Sequence, residues 1–293
     1  KVAGRAILRR GLSPLAVTIC TPAAAPVVAA VRLRAGRAGS AKGAASMVTE
    51  GVNTAKAAGA GNILVRGDSA YGNSKVIAAV LGTGSQFSFA LAKNAPVNAA
   101  IAAIGDHAWV PVRYPGAVVD PDTGALISDA EVAEIAFTAF AGTDHPVTAR
   151  LIVRRVRDAN AQDPLFPVWR YHPFLTNNTE PVADADITHR QHAVIETVWA
   201  DLIDGPWAHQ PSGSFPANAA WAILAAITHN LLRAAGTMIA PRYAVARGAT
   251  LRTHLINVPA RLARAQRRPV LHLPAHWPRA AGWLTLWHAV FTT

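Results

Sequence analysis

Cysteine is nearly absent from this 293-residue sequence. The one thiol, Cys20, excludes an intramolecular disulfide framework and any cysteine-rich zinc module. It sits in the apolar run LAVTICT, which predicts a buried, inert side chain. Acidic residues are missing from both ends: all 17 lie between Glu50 and Asp204, whereas residues 1–49 hold eight Lys/Arg and residues 205–293 hold nine arginines. Lysine is scarce as well, 5 against 23 arginines, a bias that a high-G+C genome produces without selection for arginine function. No GxGxxG follows a strand, and no GxxxxGK[ST], GxSxG or HExxH occurs, so the chain carries no sign of nucleotide, flavin or zinc-protease chemistry. The most apolar long stretch, Ala217 to Leu232, is interrupted by Asn218, Thr228, His229 and Asn230; it is too short and polar for a membrane span and reads as a core helix. With no cationic, apolar leader at the start, the expectation is a cytoplasmic protein without a membrane partner.

What is present is charge and apolar bulk. The sequence is 51% hydrophobic, with a formal net charge of +11. Its middle holds 11 basic against 17 acidic residues, so two basic flanks enclose an acidic centre, as suits a protein that works on a polyanion such as nucleic acid.

Periodicity predicts an α/β chain. Two β-rich runs, LSPLAVTIC and APVVAAVRL, flank a Pro-bearing turn and read as an antiparallel pair. Ser40 is placed to cap a helix reaching about Ala58, with Ala44, Val48, Val52 and Ala55 on one face. A buried strand over 62–66 ends at Gly67-Asp68, followed by a helix over 73–81 and a strand over 86–92. Between 105 and 176, short alternating runs joined by turn-rich pieces such as DPDTG predict a mainly β insertion. Helices are expected near 186–203, 216–235, 249–265 and 279–290. The divisions that follow are 1–95 (first part of a core), 96–180 (insertion), 181–235 (core return) and 236–293 (basic C-terminal region).

Two carboxylates stand out. Asp68 directly follows an apolar strand, at a sheet end where side chains converge on a crevice, although Asp there also begins turns or caps helices. Glu196 lies in THRQHAVIETVWADLIDG with His189, His192, Trp199 and Ile203 on or near its face. His189 and His192, like His272 and His276, have ligand-like spacing but no third nitrogen nearby, which argues against zinc.

NILVRGDSAYG, then a β-rich stretch, then HRQHAVIETVWADLIDGPWAHQPSGSFPANAAWAILAAITHNLLRAAG, resembles the DDE transposases of bacterial insertion sequences. The similarity continues into NVPARLARAQRRPVLHLPAHWP near the end. The resemblance implies an RNase H-like core interrupted by a β insertion before the glutamate helix. It also implies a reaction in which two aspartates and a glutamate hold two divalent ions, Mg²⁺ or Mn²⁺, about 3.5–4 Å apart for DNA strand cleavage and strand transfer. On this resemblance Asp68 is the second aspartate and Glu196 the glutamate, both metal ligands. The family's first aspartate precedes the region of Gly11 to Leu15. Here nothing acidic occurs before Glu50, which falls in a helix pattern. Relatives usually carry a lysine seven residues after the glutamate, where this chain has Ile203.

The expectation is an N-terminally truncated DDE transposase fragment, its core lacking the first strand and its catalysis incomplete, acting on insertion-sequence ends and target DNA at the nucleoid. Arg233, Arg242, Arg247, Arg252, Arg261, Arg264, Arg267 and Arg268 would meet DNA phosphates; six to eight such contacts imply a log–log salt slope of about −5 to −7. The alternative is a non-enzymatic DNA-binding or assembly remnant of a mobile element, able to pair with an intact transposase; on either reading, loss of the first strand exposes unpaired edge groups and predicts a homo-oligomer. An unrelated metal-dependent hydrolase would need a third ligand such as Asp106 or Asp201, and Asp201 lies about 140° from Glu196 around the helix.

Overall fold

The computed structural model describes residues 11–114, 119, 121, 130–157, 168–265 and 268–291. Chain order is β1 (Leu15–Thr21), β2 (Ala24–Arg32), α1 (Ala44–Ala57), β3 (Leu64–Gly67), α2 (Ser74–Gly82), β4 (Gln86–Ala90), α3 (Ala95–Ala102), β5 (Val110–Val112), β6 (Ala130–Ala139), β7 (Val147–Arg157), β8 (Trp169–Thr176), α4 (Val182–Arg190), α5 (Ile195–Ile203), α6 (Phe215–Thr237), α7 (Pro241–Ala244), α8 (Gly248–Leu251), β9 (Arg261–Ala265), β10 (Arg268–His272) and α9 (Ala280–Phe291). The described residues form two compact units, one made of residues up to Arg37 and from Val194 on, the other Ala38–Ala193.

The second unit is built on a six-stranded mixed sheet in the order β3-β4-β8-β7-β6-β5. Only β3 and β4 are parallel, in register Leu64↔Gln86 to Gly67↔Phe89; every other pair is antiparallel. The alternating runs of the insertion therefore extend the sheet begun by β3 and β4. Leu151, Ile152 and Val153 on β7 are fully buried, as expected for a central strand covered on both faces. The turn sequence DPDTG lies, apart from Pro121, outside the described residues. β3 differs from expectation: it is half-buried along its length, because it is the edge strand with a single neighbour. α1 buries Ala44, Val48, Val52 and Ala55 as its periodicity predicts, together with Met47 and Gly51. It starts at Ala44 behind Gly43 (φ 78°), so Ser40 is not its cap.

In the first unit β1 and β2 form a two-stranded antiparallel sheet of their own, among the described residues joined to no other strand. Cys20 is exposed, contrary to expectation, because it lies beside the hairpin turn, where β1 runs out into solvent. The hairpin is held by α6. The Asn230 side chain accepts a hydrogen bond from Val28 N–H and donates one to Val28 C=O, both 2.8 Å, in the manner of a neighbouring strand. His229 Nε2 lies 3.1 Å from Pro26 O. Around this clamp Val28, Leu33, Val198, Leu202, Trp207 and Ala222 form the local core.

α6 thus corrects the expectation of an apolar core helix. Its buried stripe is Asn218, Ala222, Ala225, Ala226, His229, Arg233 and Gly236, while Ile223, Leu224, Ile227 and Leu231 are exposed. The polar groups take the inner face because the β2 edge and an aspartate on α5 offer them partners there. Gly236 permits close approach at the far end: a Cβ would sit 2.7 Å from Tyr243 O. The predicted helix 249–265 is also corrected. α8 passes into a wide π turn, Arg252–Ile256, and then into β9, since Pro259 cannot continue a helix and biases the residue before it to extended backbone.

Asn230→Leu leaves two half-buried backbone groups of β2 without partners. It should lower the stability of the chain by about 2 kcal/mol, read as a shift in urea midpoint at unchanged slope.

Candidate functional site

Asp68 stands at the carboxyl end of β3, beside the equivalent end of its parallel partner β4, where open α/β sheets form their crevices. Its carboxylate is exposed. Oδ1 accepts a hydrogen bond from Ala70 N–H at 2.9 Å, and Asp68 C=O accepts one from Tyr71 N–H at 3.1 Å, which folds residues 68–71 into a turn. The following Gly72 is packed so closely on β4 that a Cβ would lie 2.1 Å from Ala90 O. The two glycines of RGDSAYG are therefore packing requirements; at Gly67 a Cβ would lie 2.7 Å from the Phe89 ring.

Glu196 belongs to the other unit. The single helix expected over 186–203 is broken into α4, a 3₁₀ turn at Gln191–Val194, and α5. This places Glu196 in the first turn of α5, not mid-helix. Its side chain is exposed and, among the described residues, makes no hydrogen bond or ion pair. Ile203, at the end of the same helix, is 59% exposed.

Asp201, five residues after Glu196, has a different role. Its side chain is buried, with Oδ2 2.7 Å from Arg233 Nη2 and Oδ1 2.7 Å from Arg247 Nε. Arg233 Nη1 also donates to Ala246 C=O. Burial pulls the Arg233 guanidinium below its ordinary pKa and the Asp201 carboxylate opposes the shift; hydrogen bonding to Asp201 raises Arg247. Asp201 is thus taken up by two arginines, and Asp106 is fully exposed with Arg155 3.9 Å away. Among the described residues no group of three or more His, Cys, Asp or Glu is arranged to hold a metal ion.

The arginines expected on phosphate divide accordingly. Arg233, 2% exposed and paired with Asp201, is removed from that set. Arg247 shares Asp201 but keeps an exposed side chain, and Arg252 Nη2 donates to Asp204 C=O at 2.6 Å. Arg242 lies over the Tyr243 ring, 5.1 Å from its centroid, and is exposed. Arg261, Arg264 and Arg268, on the β9–β10 hairpin, are exposed; Arg267 lies outside the described residues.

The unit of Asp68 contains a cavity of about 500 Å³ that sequence reasoning missed. Ser69, Lys93, Arg154, His172, Asp186 and His189 are among its lining residues. Lys93 follows β4, Arg154 and His172 are cross-strand partners on β7 and β8, and Asp186 and His189 come from α4. These positions share no sequence motif. The sheet order and the packing of α4 on the sheet join them. Asp186 is buried and accepts a 2.5 Å hydrogen bond from Tyr114. Burial pushes Asp186 up; burial and this bond push Tyr114 up to about 12.

His189 is stacked on Phe174 at 4.1 Å between centroids, and its Nδ1 lies 2.9 Å from Ser88 Oγ. Its ring is 4.8 Å from that of His192. Burial, with the nearby His192 and Arg66, pushes it down to about 3. The folded chain thus keeps His189 neutral at pH values where the unfolded chain, with a pKa near 6.5, takes up a proton. This contribution to stability is complete above about pH 6.5 and is lost as pH falls towards 3, by at most about 1.4 kcal/mol per pH unit. His172 and His229 are also pushed down by burial and act in the same direction. Urea midpoints should fall between pH 7 and pH 5, and His189→Phe should flatten that dependence.

A family model described as transposase DDE domain group 1 matches residues 11–291, and the chain belongs to that family. Its mixed α/β architecture accords with the RNase H-like fold of DDE transposases. A search of curated proteins returned no match. No helix among the described residues is long and apolar enough to cross a membrane.

Proposed function

We propose that this member of the DDE transposase family uses Asp68 and Glu196 as two of the carboxylates that hold Mg²⁺ or Mn²⁺ for cleavage and joining of DNA strands. One observation carries the reading: these two carboxylates lack a cationic partner among the described residues, whereas Asp201, Glu131 and Glu134 are each tied to an arginine. Exposed carboxylate oxygens are the hard donors that Mg²⁺ requires, with room left for water and phosphate. When bound, the ions would activate a water or a DNA 3′-hydroxyl and stabilise the leaving oxygen. The residues' own part is to present oxygen donors, Asp68 on a turn pinned against β4 and Glu196 on a helix anchored through Asp201.

The given sequence has no acid before Glu50. Two carboxylates hold a metal pair poorly, and loss of one member of a catalytic unit removes most of the rate. These 293 residues should therefore bind DNA while cleaving it slowly. The second reading is a DNA-binding or assembly protein of a mobile element, favoured by the exposed arginines of the β9–β10 hairpin. A homo-oligomer would draw on the aliphatic face of α6. Bacterial insertion-sequence ends as substrate, and work at the nucleoid, follow from the resemblance of the two motif blocks.

Mn²⁺ titration followed by electron paramagnetic resonance tests the metal reading. Asp68→Ala and Glu196→Ala should each weaken Mn²⁺ binding by at least about tenfold; unchanged binding in both variants contradicts it. DNA affinity should survive both changes. With Arg233 buried, and Arg247 and Arg252 engaged by Asp201 and Asp204, the remaining described arginines 242, 261, 264 and 268 predict a log–log salt slope of about −4 on duplex DNA, and a slope near zero contradicts phosphate contact.

A further inference from the structure

The cavity beside Ser69 is more cationic than its structural role requires. Lys93 and Arg154 line it without a hydrogen bond or ion pair among the described residues. Arg190 lines it while stacked over Tyr114, 3.9 Å from the ring centroid. Three cations thus face one carboxylate, Asp186, and that carboxylate is 1% exposed and occupied by Tyr114. The cations also converge electrostatically. His172 is pushed down by burial and then by Arg154, Lys93, Arg170 and Arg190, which leaves a neutral imidazole able to donate or accept.

Arg154 is half-buried in mid-strand, and its charge is felt by Asp186, whose carboxylate is already taken by Tyr114; a guanidinium so placed, with no hydrogen bond or ion pair among the described residues, is costly unless an anion meets it. Arg154 is paired on both sides, with Val132 and His172, so its backbone position at the cavity wall is set by both neighbouring strands. A guanidinium fork suits phosphate oxygens bidentately. The charge distinguishes between phosphates. A monoester carries about −1.5 to −2 at neutral pH, and Arg154 and Lys93 with a third cation at the rim match it better than the single charge of a backbone diester. The volume, about 500 Å³, exceeds what a lone phosphate fills, and Tyr171 and Pro173 supply wall for an attached ring.

We propose that this cavity binds a phosphate monoester carried on a nucleoside, through Arg154 and Lys93 with Arg190 at its rim. The monoester has two sources, a free mononucleotide or the phosphorylated end of a DNA strand. The proposal requires neither a divalent ion nor Glu196.

The test uses the 293-residue protein in EDTA, so the fate of the metal reading cannot affect it. Fluorescence anisotropy compares a short single strand bearing a 5′-phosphate with the same strand ending in a 5′-hydroxyl, and AMP is titrated as competitor. A preference of about tenfold or more for the phosphorylated strand supports the site with a strand end as its ligand. AMP binding with no strand preference supports it with a free nucleotide. Arg154→Gln should abolish whichever preference is found, and Lys93→Gln, on the exposed segment after β4, should weaken it with the sheet intact. Absence of both the strand preference and AMP binding overturns the proposal, as does a preference that both variants retain.

Discussion

The buried contact of Asp201 with Arg233 and Arg247 governs the unit that carries Glu196. One carboxylate on α5 meets a guanidinium from α6 and another from the segment before α8, so three elements distant in sequence are fixed at one point. Such a pair does little for net stability when compared with an apolar replacement of similar volume. Removing one partner is different, because it strands a buried charge at a cost of about 3–5 kcal/mol. What the pair supplies is position. α5 can dock in one register only, and Glu196 projects from its first turn. Gly248 lets the chain close over the pair, since a Cβ there would already touch Asp201 Cγ at 3.3 Å.

The same logic explains why α6 presents its larger aliphatic side chains outward. Asn218, His229 and Arg233 occupy the inner face with small alanines between them, and Asn230, half-buried, clamps the edge of β2. Burying polar groups is tolerable only when each finds a partner; here the partners are the backbone of β2, the loop at Ser212 and Asp201. The helix trades apolar burial for specific docking of the hairpin. Ile223, Leu224, Ile227 and Leu231 are left on the outside as a continuous aliphatic strip.

Local pattern made much of this legible. The period-2 runs of β6 to β8, the stripe of α1 and the position of Asp68 after a strand all follow from spacing that a single segment contains. Contacts between segments were not legible. Asn73 and Asn94 cap α2 and α3 by local bonds to Val76 and Val97, but nothing near Arg233 in sequence marks it as a buried partner of Asp201. The apolar setting of Cys20 suggested burial, yet exposure is decided by where the hairpin turns. Pro259 was a readable signal against a helix through 265. The cations of the cavity, Lys93, Arg154 and Arg190, come from separate segments and meet through the order of the six-stranded sheet and the packing of α4 on it.

The central proposal is that Asp68 and Glu196 both serve as ligands of divalent metal. Cleavage by bound iron tests it most directly. Fe²⁺ substituted for Mg²⁺, with ascorbate and peroxide, cuts the backbone beside its ligands. The account predicts two cleavage zones, one around residues 66–70 that disappears in Asp68→Ala and one around 194–198 that disappears in Glu196→Ala. Cleavage confined to one zone, or a zone that persists when its own carboxylate is removed, would contradict it.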